Sequence, residues 1–167
     1  MAEEVPKTII IGLGNPILGD DGVGWKVAQE VEETIEMGKS HFGNGIEIEY
    51  SSLGGLSLME RMVGFQRVIL IDSMHTDEHP IGSVRTFPLN ALANPMDGHS
   101  ASAHDTSLRL ALETAEEMGV SVPRSVEVVA IESNQVFDFS ENLSPAVAAA
   151  IPLATQCVIN LLGLEES

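Results

Sequence analysis

Lys7-Thr-Ile-Ile-Ile-Gly-Leu-Gly14 is a short apolar run that ends in glycine. With no polar position from Ile9 to Leu13, it reads as a strand buried on both faces. A polar loop, Asn15 to Gly22, follows it. Val23, Val27, Val31 and Ile35 then recur at helical spacing, and Gly38 stands where a helix would be capped. The opening is therefore a strand–loop–helix unit.

Further along, Ile46, Ile48 and Tyr50 alternate with Glu47 and Glu49, which predicts a strand with one wet face. Gly54-Gly55 marks a turn before a short helix carrying Leu56, Met59 and Val63. Val68-Ile-Leu-Ile-Asp72 is a second all-apolar run and predicts a central strand with Asp72 as its last residue. Gly82-Ser83 leads into a shorter strand, Val84 to Phe87. Residues 88–103 read as a long loop. His104 to Met118 is predicted helical, with Leu108, Ala111, Leu112 and Ala115 on one face, and Val126 to Ile131 is the last strand. Ser144-Pro145 is a capping residue followed by a first-turn proline, opening a helix to about Leu162 with a bend at Pro152. Strands alternating with helices predict an α/β fold: a three-layer α/β/α sandwich with a mostly parallel, twisted sheet of about five strands. No repeat or linker divides the chain, so residues 1–167 are expected to form a single domain.

Composition narrows the function. Hydrophobic residues make up 44% of the 167, enough for a packed core without disulfides. Eight Lys and Arg against 25 Asp and Glu give a formal charge of −17. Such a surface repels phosphate backbones and anionic lipid, so neither nucleic acid nor membrane is expected as a partner. No apolar run approaches the ~18 residues of a membrane helix. The N-terminus lacks the basic flank of a signal peptide, and Cys157 has no second cysteine to pair with. These features point to the cytoplasm. Cys157, within Gln156-Cys-Val-Ile-Asn-Leu-Leu162, reads as a small buried hydrophobe and not as a catalytic thiol.

In open α/β sheets ligands bind at the C-terminal ends of the strands. Three polar groups are predicted near such ends. Asp20 and Asp21 lie in the loop after the first strand, Asp72 follows four buried residues, and His104 opens a helix after the long loop. One aspartate of the pair can be explained as a helix cap. At a helix N-terminus the dipole disfavours imidazolium, and neutral imidazole is the form that binds metal. Two carboxylates and one imidazole suit Ni²⁺, Zn²⁺ or a similar divalent ion, with positions left open for substrate.

Other patterns are weaker. Gly12-Leu-Gly14 lacks the third glycine of a dinucleotide fingerprint, whose place Ile17 takes. His75-Thr-Asp-Glu-His79 is rich in ligand types, but Pro80 follows directly, and the stretch reads as a solvated loop with at most an accessory role. Gly98-His-Ser-Ala-Ser102 lacks the second glycine of a nucleophile elbow. No His-Glu-x-x-His zinc-protease motif is present.

Gly12-Leu-Gly-Asn-Pro-Ile-Leu-Gly-Asp-Asp-Gly-Val-Gly24 resembles the opening motif of the hydrogenase maturation proteases. The resemblance continues in order through Ser52-Leu-Gly-Gly-Leu56, Val68 to Asp72, Gly82 to Phe87, Ser102-Ala-His104, Ile131-Glu132 and Leu143-Ser-Pro145, over roughly residues 8–162. It implies that Asp21, Asp72 and His104 are the metal ligands and the catalytic set. It further implies an aspartic-type endopeptidase that clips a C-terminal extension from a hydrogenase large-subunit precursor once nickel is installed. The nickel would then arrive with the substrate, and the enzyme is expected as a monomer. Ser133 stands where the family often has proline after the late Glu, and the His75–His79 loop is not a family feature. Two competing readings are a non-enzymatic nickel-binding chaperone on the same scaffold and a peptidyl-tRNA hydrolase. The latter shares Gly12-Leu-Gly-Asn-Pro16, but its Arg-His-Asn motif and a basic face for tRNA are missing.

Overall fold

A computed structural model describes residues 6–38, 45–91, 103–134 and 138–163; for residues 103–106 it describes the backbone only. The strands are β1 (Thr8–Leu13), β2 (Ile46–Ser51), β3 (Arg67–Met74), β4 (Val84–Pro88) and β5 (Ser125–Glu132). The helices are α1 (Val23–Met37), α2 (Gly55–Met62), α3 (Ala103–Glu117) and α4 (Pro145–Leu161). The strands form one five-stranded sheet in the order β2-β1-β3-β5-β4. β4 runs antiparallel to β5, and every other neighbouring pair is parallel. This is the expected three-layer α/β sandwich.

The two apolar runs are buried on both faces because the strands alternate between two cores. Ile9, Ile11, Leu13, Val68, Leu70, Val128 and Ala130 pack beneath α2 and α3, with Leu58, Met62 and Leu108. Ile10, Ile69, Ile71, Val129 and Ile131 face α1 and α4, with Val23, Val27, Val147 and Val158. Two glycines let α1 lie directly on the strands: a Cβ on Gly24 would stand 2.3 Å from the Leu13 carbonyl oxygen and 2.4 Å from that of Ile71. A Cβ on Gly12 would meet the Gly24 carbonyl oxygen at 2.5 Å. The approach is thus specified by missing side chains on both partners.

Some expectations are corrected. Asp72 does not end its strand. β3 continues to Met74 because Asp72, Ser73 and Met74 still pair with Ala130, Ile131 and Glu132 of β5. The pairing with β1 stops earlier, at Gly12–Ile71, so Asp72 stands at the rim only on its β1 side. Cys157 is partly buried at the edge of the α1–α4 core, not fully enclosed. Gly38 caps α1 with an ordinary negative φ of −74°, so no left-handed cap is formed. Ser144 and Pro145 do open α4, and the helix continues through Pro152 to Leu161.

Candidate active site

The strand order reverses at β1: the chain leaves β1 for β2 on one side and returns to β3 on the other. Such a switch point opens a crevice beyond the carboxyl ends of the two strands. Asp21 comes to it from the loop after β1 and meets Ser73 of β3, the residue after Asp72.

The loop carrying Asp21 is folded tightly on itself. Gly14 has a φ of +124°, and a Cβ there would lie 1.8 Å from the Asp21 carbonyl oxygen, so only glycine fits. The Asn15 backbone N–H donates to Asp21 Oδ2 at 2.7 Å, and the Asp21 N–H donates to the Leu18 carbonyl at 3.2 Å. Ser73 Oγ lies 3.5 Å from Asp21 Oδ1, joining the two strand ends across 52 positions of sequence. Among the described residues each Asp21 oxygen therefore has one hydrogen-bonding neighbour, which leaves lone-pair capacity for a further donor or an ion. Asp21 is half-buried at the rim.

Asp20 plays another part. Its Oδ1 accepts the Ser144 backbone N–H at 2.7 Å and its Oδ2 accepts the Ser144 hydroxyl at 2.8 Å. Ser144 caps α4 by position, yet its hydroxyl goes to Asp20 and makes no side-chain cap bond to its own helix. With 8% exposure, Asp20 is a strut between the first loop and α4. Backbone bonds between Gly19 and Ser140 at 2.7 Å and between Ser140 and Ile17 at 2.9 Å tie the same two segments together.

Asp72 is 1% exposed. Along β3 it shares the parity of Val68, Leu70 and Met74, which belong to the core beneath α2 and α3. Ser73 takes the opposite parity and reaches Asp21. The two aspartates thus approach the rim from neighbouring strands, Asp72 on the α2–α3 side. His104 falls in the first turn of α3, four residues before the fully buried Leu108, and its backbone is at that end of the sheet. The His104 side chain lies outside the described residues, as do Gly98 to Ser102. Among the described residues, no three His, Cys, Asp or Glu side chains gather as a metal site.

A second carboxylate reads differently once placed. Glu132, also 1% exposed, ends β5. Its Oε1 accepts the backbone N–H groups of Thr76 at 2.7 Å and Asp77 at 3.1 Å. The Thr76 hydroxyl lies 3.0 Å from both carboxylate oxygens, and Arg85 Nη2 is 3.4 Å from Oε2. Asp77 has a φ of +58°, so two successive N–H groups converge in a nest around the carboxylate. His75 Nδ1 is 3.0 Å from the Ser133 carbonyl, which can only accept, so that nitrogen carries the proton and Nε2 faces Asp77 Oδ2 at 3.4 Å. The His75–His79 stretch is a loop with Asp77 to His79 exposed, as expected, but its first residues, His75 to Asp77, are anchored on Glu132 and Ser133. The same signal that marks Asp72, a carboxylate after an apolar strand, marks Glu132 after Val128-Val-Ala-Ile131.

The profile of the family described as hydrogenase maturation protease matches residues 52–161. A putative hydrogenase maturation protease of Methanocaldococcus jannaschii is 24% identical over 155 residues, covering 90% of this chain and 93% of that one. The hydrogenase expression/formation protein HoxM of Azotobacter vinelandii is 21% identical, covering 95% of this chain and 73% of its own length. The hydrogenase maturating endopeptidase HybD from Escherichia coli superposes with a TM-score of 0.75 at 19% identity, over 94% of this chain and 92% of that one. The family match takes in β3 with Asp72, the first turn of α3 and the β5–α4 segment, and on it the chain belongs to the hydrogenase maturation protease family.

Proposed function

We propose that this protease removes the C-terminal extension of the large-subunit precursor of a nickel-containing hydrogenase after nickel has been inserted. The observation that carries the reading is the meeting of Asp21 with the end of β3, through Ser73 at 3.5 Å, at the one switch point of the sheet. Asp72 precedes Ser73 on that strand, and the turn holding His104 lies on Asp72's side of the sheet.

The donor set fits a divalent ion: two carboxylates supply oxygen and a neutral imidazole supplies nitrogen. In this reading the nickel belongs to the substrate, and Asp21, Asp72 and His104 hold it or recognise it in the precursor. A divalent ion held there supplies Lewis-acid polarisation of the scissile carbonyl. Asp21 is the acid best placed to take a proton from an attacking water, because both Asp20 oxygens are committed to Ser144. Asp20 braces the first loop against α4 and Glu132 holds the β3–β4 connection, and neither is given a step in this reading. The enzyme works as a monomer in the cytoplasm on this reading; among the described residues no helix is long and apolar enough to cross a membrane.

Incubation with nickel-loaded and nickel-free precursor, followed by intact mass, tests the proposal. The loaded precursor should lose a C-terminal segment and the nickel-free one should not. An unchanged mass with nickel moved between the proteins would make this chain a nickel carrier instead.

A further inference from the structure

α2 and α3 run side by side from the C-terminal rim of the sheet towards its opposite end. α2 starts just after β2 ends and leads to the beginning of β3, and α3 leads to the beginning of β5. Gly55 and Ser107 mark the rim end, where a Cβ on Gly55 would lie 3.4 Å from Ser107 Oγ. Between the helices runs a groove of about 500 Å³ lined by Leu56, Met59, Leu110, Ala111, Met118 and Val120, among others. Leu56, Leu110 and Met118 are 62%, 65% and 77% exposed. Long apolar side chains sharing one open groove differ from scattered surface leucines and mark a contact surface. The groove lies on Asp72's side of the sheet and begins at the turns of α3 that follow His104.

We propose that this groove holds the C-terminal extension of the precursor, as an extended segment with apolar anchors flanked by Lys or Arg. The proposal rests on the protease reading above and adds where the substrate chain lies. Its length follows from the helix: eleven residues from Ser107 to Met118 span about 16 Å, the reach of about five extended residues. Its charge follows from the margins, since no charged residue of either sign lines the groove itself. Exposed Glu60 lies one turn beyond Leu56, and exposed Glu117 two turns beyond Leu110 on the same stripe. A second copy of this chain would bring −17 against −17, whereas a basic segment is attracted to the same rim.

The test is steady-state cleavage of nickel-loaded precursor by the parent and by Leu110→Asp and Met118→Asp. Both sites are exposed, and Leu110→Ser and Met118→Gln serve if either acidic variant shows a lowered thermal transition. The proposal expects KM to rise about tenfold with kcat within a factor of about two, since the groove binds chain and not the reacting bond. Glu60→Lys with Glu117→Lys should raise KM at low salt, with the difference lost at about 1 M salt, where the screening length falls to about 3 Å. A precursor whose extension has Lys and Arg exchanged for Glu should be a poor substrate for the parent and be partly rescued by the Glu→Lys pair. If the parent cleaves and the groove variants keep its KM, the docking proposal is overturned while the protease reading stands. A parent dimer that Leu110→Asp dissociates, with KM unchanged, assigns the groove to a second copy and overturns it as well. If the parent cleaves nothing, both fall together.

Discussion

Asp72 and Glu132 stand on the same face of the sheet, on neighbouring strands, two residues out of step: Asp72 pairs with Ala130, and Glu132 with Met74. Both carboxylates are 1% exposed. A buried charge is tolerated only where donors replace water. For Glu132 those donors are two backbone N–H groups, the Thr76 hydroxyl and Arg85. This carboxylate is therefore spent on holding the β3–β4 connection. Arg85 pairs across β5 with Ala130, so its small partner lets the guanidinium pass over the strand to Glu132 and to within 3.9 Å of Met74 Sδ.

Glu132→Ala removes the acceptor of that whole nest and leaves Arg85 without its buried counter-charge. A loss of about 3 kcal/mol is expected, in the range for breaking a buried, hydrogen-bonded pair. Urea unfolding of the variant and parent measures it; a loss below about 0.5 kcal/mol, the scale of an ordinary surface change, contradicts the account.

Adjacent aspartates in the first loop should separate in opposite directions. Asp20→Ala deletes the acceptor of two bonds from Ser144 and should cost about 1–3 kcal/mol of stability, leaving cleavage per folded molecule near the parent value. Asp21→Asn keeps the shape and the bond from Asn15 and should unfold like the parent, yet lose cleavage of nickel-loaded precursor. Equal behaviour of the two variants in either measurement would remove the distinction between strut and site.

The two buried strands were legible because burial on both faces demands an unbroken apolar run, as residues 9–13 and 68–71 supply. The end of β3 was not. The apolar run stops at Ile71, where the pairing with β1 also stops, but β5 goes on pairing with Asp72, Ser73 and Met74 and carries the strand further. Asp20 and Ser144 lie 124 positions apart, so nothing in either local pattern shows that the cap of α4 is used to brace the first loop. The anchoring of His75 to Asp77 within an otherwise exposed loop was not legible, because Glu132 arrives from another strand 56 positions after Thr76. Asp21 and Asp72 could be singled out from their places after strands; that β1 and β3 lie side by side, with Asp21 meeting Ser73 and Asp72 on the other face of β3, is visible only in the fold.

Alkaline pH should weaken the fold through Tyr50. Its hydroxyl donates to Glu32 Oε2 at 2.5 Å, and burial first, then that bond, hold the phenol well above its ordinary value near 10. Above about pH 10 the unfolded chain loses the Tyr50 proton while the folded chain keeps it, so this contribution is present below pH 10 and declines as pH rises towards the folded value. Thermal melts between pH 9 and pH 11 should fall less steeply for Tyr50→Phe than for the parent. Parallel slopes would show that other groups govern the alkaline limb.

β1 and β3, which carry Asp21 and Asp72 at their ends, are fixed in register, and Ser73 keeps Asp21 turned towards β3. If His104 supplies the third ligand, Ni²⁺ added to the isolated chain should bind with oxygen and nitrogen donors at about 2.0–2.2 Å, the range for such ligands, readable by X-ray absorption. Three ligands with open positions bind less firmly than a closed structural site, so the titration should use a weak competing chelator. Asp21→Asn, Asp72→Asn and His104→Ala should each weaken binding by about tenfold or more, equal to at least about 1.4 kcal/mol. Asp20→Asn should stay close to the parent, because both its oxygens already face Ser144. His75→Ala is the sharper control. Its imidazole is held by the Ser133 carbonyl and faces Asp77, on the β4 side of Asp72. Should His75→Ala abolish binding while His104→Ala leaves it intact, the nitrogen ligand comes from the β3–β4 corner, and the ion sits over β3 and β5 instead of at the switch point between β1 and β3.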